Sequence, residues 1–383
     1  MKYRDLGKTG MKVSEVGFGG EHVEGKPYQQ VESTIHAALD NGINIIDIFM
    51  SNPQVRKDIG RALKGRRDKM IIQGQVGSAW IDGQYARIRD MQQCKRFYED
   101  LLRYLDTDYM DVAMVHFVDT QQDFEKAFDV GLFDYAHQLK SSGAARSVGV
   151  SSHDPIIAAQ LIESGAIDVL MFSINPAYDV MPADVDLEGL FDPKNYKNQP
   201  AFTVAPERAW LYQLAEEKGV GITVMKGLGA GKLLDAKSSP FGVAMTTNQL
   251  IHYALTRPGV SSILLGCKTA EEIEQCVAYE TATDEQRDYS MVLKNAPRYK
   301  MDGQCMYCNH CLPCPMHIDI AQVNKYLDLA QHQATVPPTV RAHYGAMENK
   351  AGDCIACKQC EPNCPFGVPI ADRMEKAAQI FGA

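Results

Sequence analysis

Eight of the 11 cysteines in this chain lie in two short runs, each spaced for binding a metal cluster. The cysteines of the first run are separated by two residues each and are Cys305, Cys308, Cys311 and Cys314. Those of the second run have gaps of two, two and three residues and are Cys354, Cys357, Cys360 and Cys364. A proline follows each run, and the second spacing is that of bacterial ferredoxins, which bind [4Fe–4S] clusters through cysteine thiolates.

Two such runs predict two clusters with crossed ligation, because in ferredoxins the fourth cysteine of a run binds the other cluster. The predicted ligands of one cluster are Cys305, Cys308, Cys311 and Cys364. The predicted ligands of the second cluster are Cys354, Cys357, Cys360 and Cys314. Clusters of this kind carry single electrons, so we expect a protein that transfers electrons.

Two other uses of clustered cysteines fit this chain less well. A disulfide framework is typical of short secreted chains, whereas this chain has 383 residues and begins without the pattern of a secretory signal. Structural zinc needs four ligands per ion and rarely takes four evenly spaced cysteines before a proline. The other cysteines, Cys94, Cys267 and Cys276, are scattered along the sequence and are expected to be packing residues.

Ahead of the cysteine runs, short apolar segments alternate with amphipathic ones. Eight apolar segments are predicted as buried parallel strands, at Glu15–Gly20, Ile43–Phe49, Met70–Gln75, Met110–Phe117, Arg146–Ser151, Asp168–Ile174, Gly221–Lys226 and Ser261–Gly266. Helices are predicted between them, at Val31–Asn41, Met91–Leu105, Gln122–Ser141, Ile156–Ser164, Pro206–Lys218 and Ala270–Tyr279. Eight strand–helix units predict an α/β fold, the (β/α)8 TIM barrel.

The predicted domains follow from this division. The barrel is expected to occupy residues 1–283, with a hairpin around Gly7–Gly10 closing its floor. Residues 284–300 are predicted as a linker helix, and residues 301–383 as an α-helical, ferredoxin-like iron–sulfur domain with a helix at Ile320–Gln333. The Asp- and Pro-rich insertion Pro176–Ala205 is either a lid over the barrel mouth or a surface excursion over the cluster domain.

The chemistry of such a barrel lies where its strands end. Asp47 and His116 stand out because each lies within a strongly apolar strand, where an unpaired polar group is costly. We therefore expect them to share a polar network inside the barrel mouth. Other polar residues at strand ends are Gln75, Ser151, Ser152, Asn175 and Lys226.

Five stretches in order resemble the aldo/keto reductase superfamily, and more narrowly its bacterial branch with a C-terminal ferredoxin-like extension. They are Arg4-Asp5-Leu6-Gly7-Lys8-Thr9-Gly10, Gly42-Ile43-Asn44-Ile45-Ile46-Asp47, Asp111-Val112-Ala113-Met114-Val115-His116, Val148-Gly149-Val150-Ser151-Ser152 and Val224-Met225-Lys226-Gly227-Leu228. The resemblance runs nearly end to end. It implies an oxidoreductase, since the family transfers hydride between NAD(P)H and a carbonyl.

The family uses a tetrad of Asp, Tyr, Lys and His, and the resemblance carries only half of it to this chain. Asp47 and His116 match the Asp and the His. The tyrosine position falls on Asn52 and the lysine position on Gln75, and neither amide supplies a proton at neutral pH. We expect ordinary carbonyl reduction to be weak or absent, with Asn52 and Gln75 orienting the substrate and His116 or Lys226 as the acid.

The resemblance also implies positions for a nicotinamide cofactor. The matching strand-end residues are Ser151, Ser152, Asn175, Met225, Gly266, Lys268 and Thr269. Lys268 at a helix start could pair with a cofactor phosphate. The pattern is partly kept and partly altered, so NAD(P)H, another cofactor or none all remain open.

Composition is that of a globular cytoplasmic enzyme, with 45% hydrophobic and 23% charged residues. No apolar run approaches the ~20 residues that cross a bilayer. A net charge of −9 disfavours a nucleic-acid partner, and the sequence does not determine the oligomeric state. Because exposed clusters decay in air, we expect a reducing, anaerobic setting.

The leading hypothesis is an iron–sulfur oxidoreductase that acts on a small carbonyl or hydroxy compound. Its electrons would pass through two clusters to or from a ferredoxin- or flavodoxin-like carrier. A second hypothesis is a non-redox lyase or isomerase that uses Asp47 and His116. A third is a non-catalytic redox sensor or electron-transfer module.

Overall fold

Alternating apolar strands and amphipathic helices build a closed barrel followed by a helical region. The computed structural model describes residues 1–180, 204–294, 305, 311–331, 335–364 and 367–382. In chain order the strands are β1 (Tyr3–Asp5), β2 (Lys12–Ser14), β3 (Val16–Gly19), β4 (Ile45–Ile48), β5 (Ile71–Val76), β6 (Ser78–Ile81), β7 (Gln84–Arg87), β8 (Met110–Val115), β9 (Ala145–Ser152), β10 (Val169–Ser173), β11 (Gly221–Met225) and β12 (Val260–Gly266).

The α-helices, like the strands, are numbered in chain order. They are α1 (Tyr28–Asp40), α2 (Pro53–Ala62), α3 (Met91–Leu105), α4 (Gln121–Asp129), α5 (Leu132–Ser142), α6 (Pro155–Glu163), α7 (Pro176–Asp179), α8 (Pro206–Lys218), α9 (Thr247–Leu255), α10 (Ala270–Val277), α11 (Asp284–Arg287), α12 (Ser290–Lys294), α13 (Ile320–Gln331), α14 (Pro338–Gly345) and α15 (Ile370–Phe381).

The eight predicted strands form the barrel, which is confirmed in every strand to within two residues at each end. The barrel order is β10-β11-β12-β3-β4-β5-β8-β9, and the pairs are parallel. All six residues of β8 are buried, as expected for a strand covered on both faces. Parallel pairing places the carboxyl ends of all eight strands at one mouth and their amino ends at the opposite floor.

The predicted hairpin near the N-terminus is confirmed, since β1 and β2 pair antiparallel with Tyr3 opposite Ser14. Arg4 fixes it to the barrel floor. Its Nε donates to Glu15 Oε1 at 2.7 Å, and its Nη1 donates to the carbonyl oxygen of Leu255 at 2.8 Å, at the end of α9.

Two predicted helices are wrong. In the described part of the predicted linker helix 284–300, the chain forms two short helices, α11 and α12, with Asp288 and Tyr289 between them. The segment Gln122–Ser141 forms two helices, α4 and α5, and not one. The break falls at Gly131, whose φ of +78° lies in the left-handed region that interrupts a right-handed helix. The apolar spacing continued across this glycine and concealed the break.

A second hairpin, β6–β7, was not predicted. It lies between β5 and α3, with Asp82 and Gly83 as its two-residue turn. Both have positive φ, +51° and +79°, as in a type I′ turn, whose sequence signature is Asp-Gly. The signal was therefore present in the sequence.

The helical region after the barrel packs against the floor. Lys325 Nζ on α13 lies 3.7 Å from Glu216 Oε2 near the end of α8, and His343 Nδ1 on α14 lies 3.9 Å from Glu216 Oε1. The rings of Tyr344 and Phe381 stack with centroids 4.0 Å apart and join α14 to α15. The floor and this region therefore share an interface.

Several sequence-based expectations fall outside the described residues. They concern most of the insertion (residues 181–203), the end of the predicted linker helix and the residues just before the first cysteine run (295–304), Cys308 (within 306–310) and the end of the predicted helix at Ile320–Gln333 (332–334). Among the helices that are described, none is both long and apolar enough to cross a bilayer.

The contact between α2 and α3 yields a prediction about stability. A Cβ added at Gly60 would lie 2.6 Å from the carbonyl carbon and oxygen of Leu105, which are backbone atoms that cannot turn aside. Gly60→Ala is therefore expected to lower the free energy of unfolding by about 1–3 kcal/mol, measured by anaerobic urea unfolding. Gly345→Ala is the matched control, because a Cβ there meets nothing within 4 Å. Equal stability of the two variants would contradict the prediction.

Candidate active site and cluster-binding region

A chain of hydrogen bonds crosses the barrel mouth from β4 to the β6–β7 hairpin. Gln75 Nε2 donates to Asp47 Oδ1 at 2.7 Å. His116 Nδ1 lies 3.1 Å from Gln75 Oε1, and His116 Nε2 lies 2.6 Å from the Tyr85 hydroxyl. The structure thus brings together Asp47, Gln75 and His116, as the sequence predicted, and adds Tyr85, which it did not.

The barrel strands explain why these side chains meet. Strands β4, β5 and β8 are neighbours in the sheet, with Asp47 paired to Gln73 and Gln75 paired to Met114. Gln73 and Gln75 lie two residues apart and so share a face of β5. Both amides are buried and approach the same Asp47 oxygen, Gln73 Nε2 at 3.4 Å.

Burial shapes the electrostatics of this chain. It raises the pKa of Asp47 to about 7, against the opposing hydrogen bonds from Gln75 and Gln73. It also lowers the pKa of His116 to about 3, with help from the positive charges of Arg89 and Arg87. The imidazole is therefore neutral at physiological pH. This argues against His116 as the acid, because its Nε2 faces a hydroxyl and its charged form is disfavoured.

Asn52 and Lys226 stand apart from this chain. Asn52 Oδ1 accepts from the backbone N–H of Gln54 at 2.9 Å, and Asn52 is the N-cap of α2. Lys226 is exposed and has a φ of +59°, and within the described residues no hydrogen bond joins its amine to another group. Two of the five predicted catalytic residues therefore lie outside the connected group.

The hairpin that carries Tyr85 is held by a buried ion pair. Arg89, just beyond β7, donates to both carboxylate oxygens of Asp123, at 3.0 and 2.7 Å, and to the carbonyl oxygen of His116 at 2.8 Å. Ser78 Oγ donates to the carbonyl oxygen of Phe49 at 2.8 Å. The Phe49 ring stacks on the His116 ring, with centroids 6.1 Å apart. These contacts position the Tyr85 hydroxyl against His116.

The polar groups predicted to hold nicotinamide are already bonded within the protein. Ser151 Oγ accepts from Phe117 N at 2.8 Å, and Ser152 Oγ donates to Asp119 Oδ1 at 3.0 Å. Asn175 donates through Nδ2 to the Lys226 carbonyl at 2.9 Å, and its Oδ1 accepts from Tyr178 N, also at 2.9 Å. Met225 is half-buried at the end of β11.

The predicted phosphate loop is occupied as well. Lys268 N donates to Glu272 Oε2 at 2.6 Å, and Thr269 Oγ1 accepts from Glu272 N. Glu271 and Glu272 lie in the first turn of α10, where an incoming phosphate would meet negative charge. A Cβ at Gly266 would lie 2.3 Å from His22 Nδ1, so the imidazole fills the space beside that glycine. In this arrangement two backbone N–H groups at the start of α10 are bonded to protein oxygens, while the Lys268 side chain is exposed.

Four predicted cluster ligands surround one cavity. Cys314, Cys354, Cys357 and Cys360 all line it, and apolar side chains such as Ile318 and Met374 complete its wall. Among the described residues, no three His, Cys, Asp or Glu side chains are spaced to hold a single metal ion. A [4Fe–4S] cube, which takes one thiolate per iron, suits thiols spread around a cavity.

The other cysteines are placed as follows. Cys311 is buried, Cys305 and Cys364 are half-buried, and Cys308 lies outside the described residues. Cys267 and Cys276 are not scattered in space, because their sulfur atoms lie 3.6 Å apart and both are buried. The spacing along the chain gave no sign of this contact between the end of β12 and α10.

The cluster cavity and the hydrogen-bonded chain lie at opposite ends of the barrel. Cys314 also lines a second cavity together with Arg4, Thr256 and Lys325, all of which lie at the floor. Asp47 and His116 lie at the mouth. A six-residue strand spans roughly 20 Å, so the two regions are separated by about the height of the barrel.

These features place the chain in a family. The chain belongs to the aldo/keto reductase family, whose model matches residues 15–249. A model described as a 4Fe-4S dicluster domain matches residues 304–369. The protein is thus an oxidoreductase of the aldo/keto reductase type that carries a dicluster domain.

Known proteins agree with this assignment. YqkF, an uncharacterized oxidoreductase of Bacillus subtilis (strain 168), is 24% identical over 308 residues, which cover 72% of this chain and 90% of YqkF. The aldo-keto reductase YhdN of the same organism is 26% identical over 195 residues, 49% of this chain and only 56% of YhdN. The holo form of an aldo-keto reductase from Bacillus halodurans matches with a TM-score of 0.57 and 22% identity, over 75% of this chain and 94% of that one. That structure supports the fold alone.

The buried carboxyl of Asp47 predicts a stability that depends on pH. Its pKa is raised in the folded state from 3.8 to about 7, so its contribution to stability is complete below pH 4 and is lost as the pH rises to 7. Asp47→Asn is therefore expected to melt above the wild type at pH 8.5, by about 3 °C or more, with a much smaller gain at pH 5. Circular dichroism under argon measures both.

Asp134→Asn is the control for this prediction, because Asp134 is exposed on α5. The difference in melting temperature between Asp134→Asn and the wild type should be the same at pH 5 and pH 8.5. If Asp47→Asn behaves in the same way as Asp134→Asn, the Asp47 carboxyl is not buried as described.

Proposed function

We propose that this protein is an iron–sulfur oxidoreductase that interconverts a small carbonyl compound and the corresponding hydroxy compound at the barrel mouth. The observation that carries the proposal is the buried chain Asp47–Gln75–His116 at the mouth of an aldo/keto reductase barrel. Buried polar groups are costly for folding and are retained where a site needs them. The wider family supplies the reaction class.

The overall reaction balances with a one-electron donor. The carbonyl carbon and oxygen each gain a hydrogen, so two electrons and two protons are consumed for each C=O reduced. The electrons come from a protein carrier of the ferredoxin or flavodoxin class. Two [4Fe–4S] clusters, when bound, supply storage for single electrons between that carrier and the substrate.

Ordinary hydride transfer from NAD(P)H is proposed to be weak or absent. Gln75 and Asn52 occupy the positions at which the family has its Lys and Tyr, and neither amide gives up a proton at neutral pH. The loop at Lys268 is capped by the carboxylate of Glu272. We propose that Gln75 and Asn52 do not donate a proton but bind and orient the substrate oxygen.

The position of the cluster cavity bears on where the carrier binds. Cys314 lies near Arg4 and Lys325 at the floor, far from the substrate mouth. The electron carrier is therefore proposed to dock on the floor side, so that it and the substrate do not compete for one surface. Electrons must then cross about the height of the barrel.

The distance between the cluster cavity at the floor and the polar chain at the mouth also favours a second candidate function. A non-redox lyase or isomerase would use Asp47 near neutral pH as an acid or base, with the clusters as structural elements of the floor. Turnover that persists with oxidised clusters and no reductant would favour it over the oxidoreductase.

The electron source can be tested by anaerobic titration of the purified holoenzyme, followed by cluster absorbance and electron paramagnetic resonance. We expect reduced ferredoxin to bleach the cluster band and NADPH or NADH to leave it unchanged, because the predicted nicotinamide groups are already bonded. Bleaching by NADPH would overturn this and return nicotinamide to the mechanism.

Ligation of a cluster by Cys314 can be tested by substitution, since Cys314 lines the cavity with three cysteines of the second run. Cys314→Ser is expected to lose about half of the iron and sulfide per chain, because one of two clusters loses a ligand. Cys94→Ala is the control, since Cys94 lies in the barrel core and should keep the full iron content. Unchanged iron in Cys314→Ser would refute the assignment.

A further inference from the structure

We propose that Tyr85 is the proton donor to the substrate oxygen, and that the protonation state of Asp47 decides whether its hydroxyl hydrogen points toward His116 or toward the barrel mouth. The inference rests on the proposed function, which requires one proton to reach oxygen. Asn52 and Gln75 cannot act as the acid. In this proposal the acid lies instead on the hairpin β6–β7, which the sequence analysis did not predict.

The geometry determines the direction of the hydrogen bonds when Asp47 is ionised. A carboxylate only accepts, so Gln75 turns its Nε2 toward Asp47 and its Oε1 toward His116. An amide oxygen also only accepts, so the hydrogen of the neutral imidazole lies on Nδ1. Nε2 is then an acceptor, and the Tyr85 hydroxyl must donate to it across 2.6 Å. In this state the acidic hydrogen of Tyr85 points away from the mouth.

A proton on Asp47 reverses every bond in the chain. The protonated carboxyl donates, which favours a Gln75 amide turned by half a rotation so that its oxygen faces Asp47. Gln75 Nε2 then donates to His116 Nδ1, and the imidazole hydrogen moves to Nε2. Nε2 now donates to the Tyr85 oxygen, so the hydroxyl hydrogen is free to face a substrate. The imidazole also stabilises the tyrosinate that remains after the proton leaves.

Tyr85 is accessible to a substrate, whereas Asp47 and His116 are buried. Its side chain is 44% exposed, whereas Asp47 and His116 are 5% and 6% exposed. The hairpin is braced by the ion pair of Arg89 with Asp123, and the Tyr85 ring meets Phe49 edge to face, with centroids 6.2 Å apart. The hydroxyl therefore lies at the boundary between a buried relay and the open mouth.

The charges around both ends suit this role. Burial, and to a smaller extent the negative charge of Glu21, favours the protonated form of Asp47, so both states of Asp47 are populated near neutral pH. A positive charge on His116 is disfavoured by the neighbouring charges of Arg89, Arg87 and His153. The negative charge of Asp119 favours it but does not cancel their effect. Burial raises the pKa of Tyr85, and Arg87 and Arg89 limit the rise, so the phenol holds its proton until a basic oxygen forms nearby.

The proton step balances. The carbonyl carbon gains a hydrogen, which is made from the carrier's two electrons and one solvent proton. As the new C–H bond forms, the C=O π bond breaks and its electrons move to oxygen. That oxygen takes the Tyr85 proton, the phenolic O–H bond breaks and the new O–H bond forms. The tyrosinate accepts a hydrogen bond from His116 Nε2 and is reprotonated from solvent at the mouth.

The first test is the tautomer of His116, which needs no turnover. Histidine labelled with ¹⁵N is introduced into the holoenzyme, and long-range ¹H–¹⁵N correlation spectra are assigned with His116→Gln. We expect the Nδ1–H form at pH 8.5 and the Nε2–H form at pH 5.5. Asp47→Asn should abolish the change with pH, and Asp134→Asn should retain it. A single tautomer at both pH values would overturn the switch.

The second test is turnover of a probe, benzaldehyde, with electrochemically reduced methyl viologen as the one-electron donor. Tyr85→Phe is expected to lower kcat by about 100-fold with little change in KM, as for loss of a general acid. Tyr3→Phe, on the floor hairpin, is the control and should match the wild type. Iron content should be equal in all three proteins.

The outcomes separate this inference from the proposed function. Full activity of Tyr85→Phe, in an enzyme whose wild type turns over, overturns the role of Tyr85 and leaves the function standing. A wild type that reduces no carbonyl under these conditions refutes the function, and the tautomer measurement then decides the inference alone.

Discussion

The burial of the Asp47 carboxyl is the constraint on which the mouth of this barrel depends. A carboxyl with almost no contact with water needs donors, and the two glutamines of β5 provide them. That choice orients the Gln75 amide, and the amide in turn determines which nitrogen of His116 carries hydrogen. Each polar side chain at the mouth therefore has an orientation set by its neighbour nearer the barrel interior.

The sequence predicted the parts of this structure that depend on local pattern. Strands covered on both faces read as continuous apolar runs, so all eight barrel strands were predicted, and Asp47 and His116 were conspicuous within them. The two helices α4 and α5 read as one because apolar spacing does not reveal a single left-handed glycine. The pairing of Cys267 with Cys276 depends on how α10 packs on the barrel, which spacing along the chain does not encode.

Tyr85 illustrates the same limit for the site. The sequence Asp82-Gly83 is typical of a hairpin turn and could have been recognised. The contact between Tyr85 and His116, however, joins residues 31 positions apart and depends on the twist of the hairpin and on the Arg89–Asp123 ion pair. A half-exposed tyrosine in a polar stretch has nothing in its surroundings along the chain to distinguish it. The cysteine runs are the opposite case, since their spacing predicted that Cys314 and three cysteines of the second run bind one cluster, and these four cysteines line one cavity.

The hairpin β6–β7 also has a consequence for how related chains are compared. By the resemblance described above, the family's tyrosine position falls on Asn52, so a column-by-column comparison with tetrad-bearing reductases scores this chain as having lost its phenol. In space, a phenol borne on a separate loop stands beside the same histidine. Reductases classed as degenerate from one column should therefore be sorted again by what the loop after the third barrel strand brings to the mouth, since a group can migrate between loops while the histidine it serves stays in place.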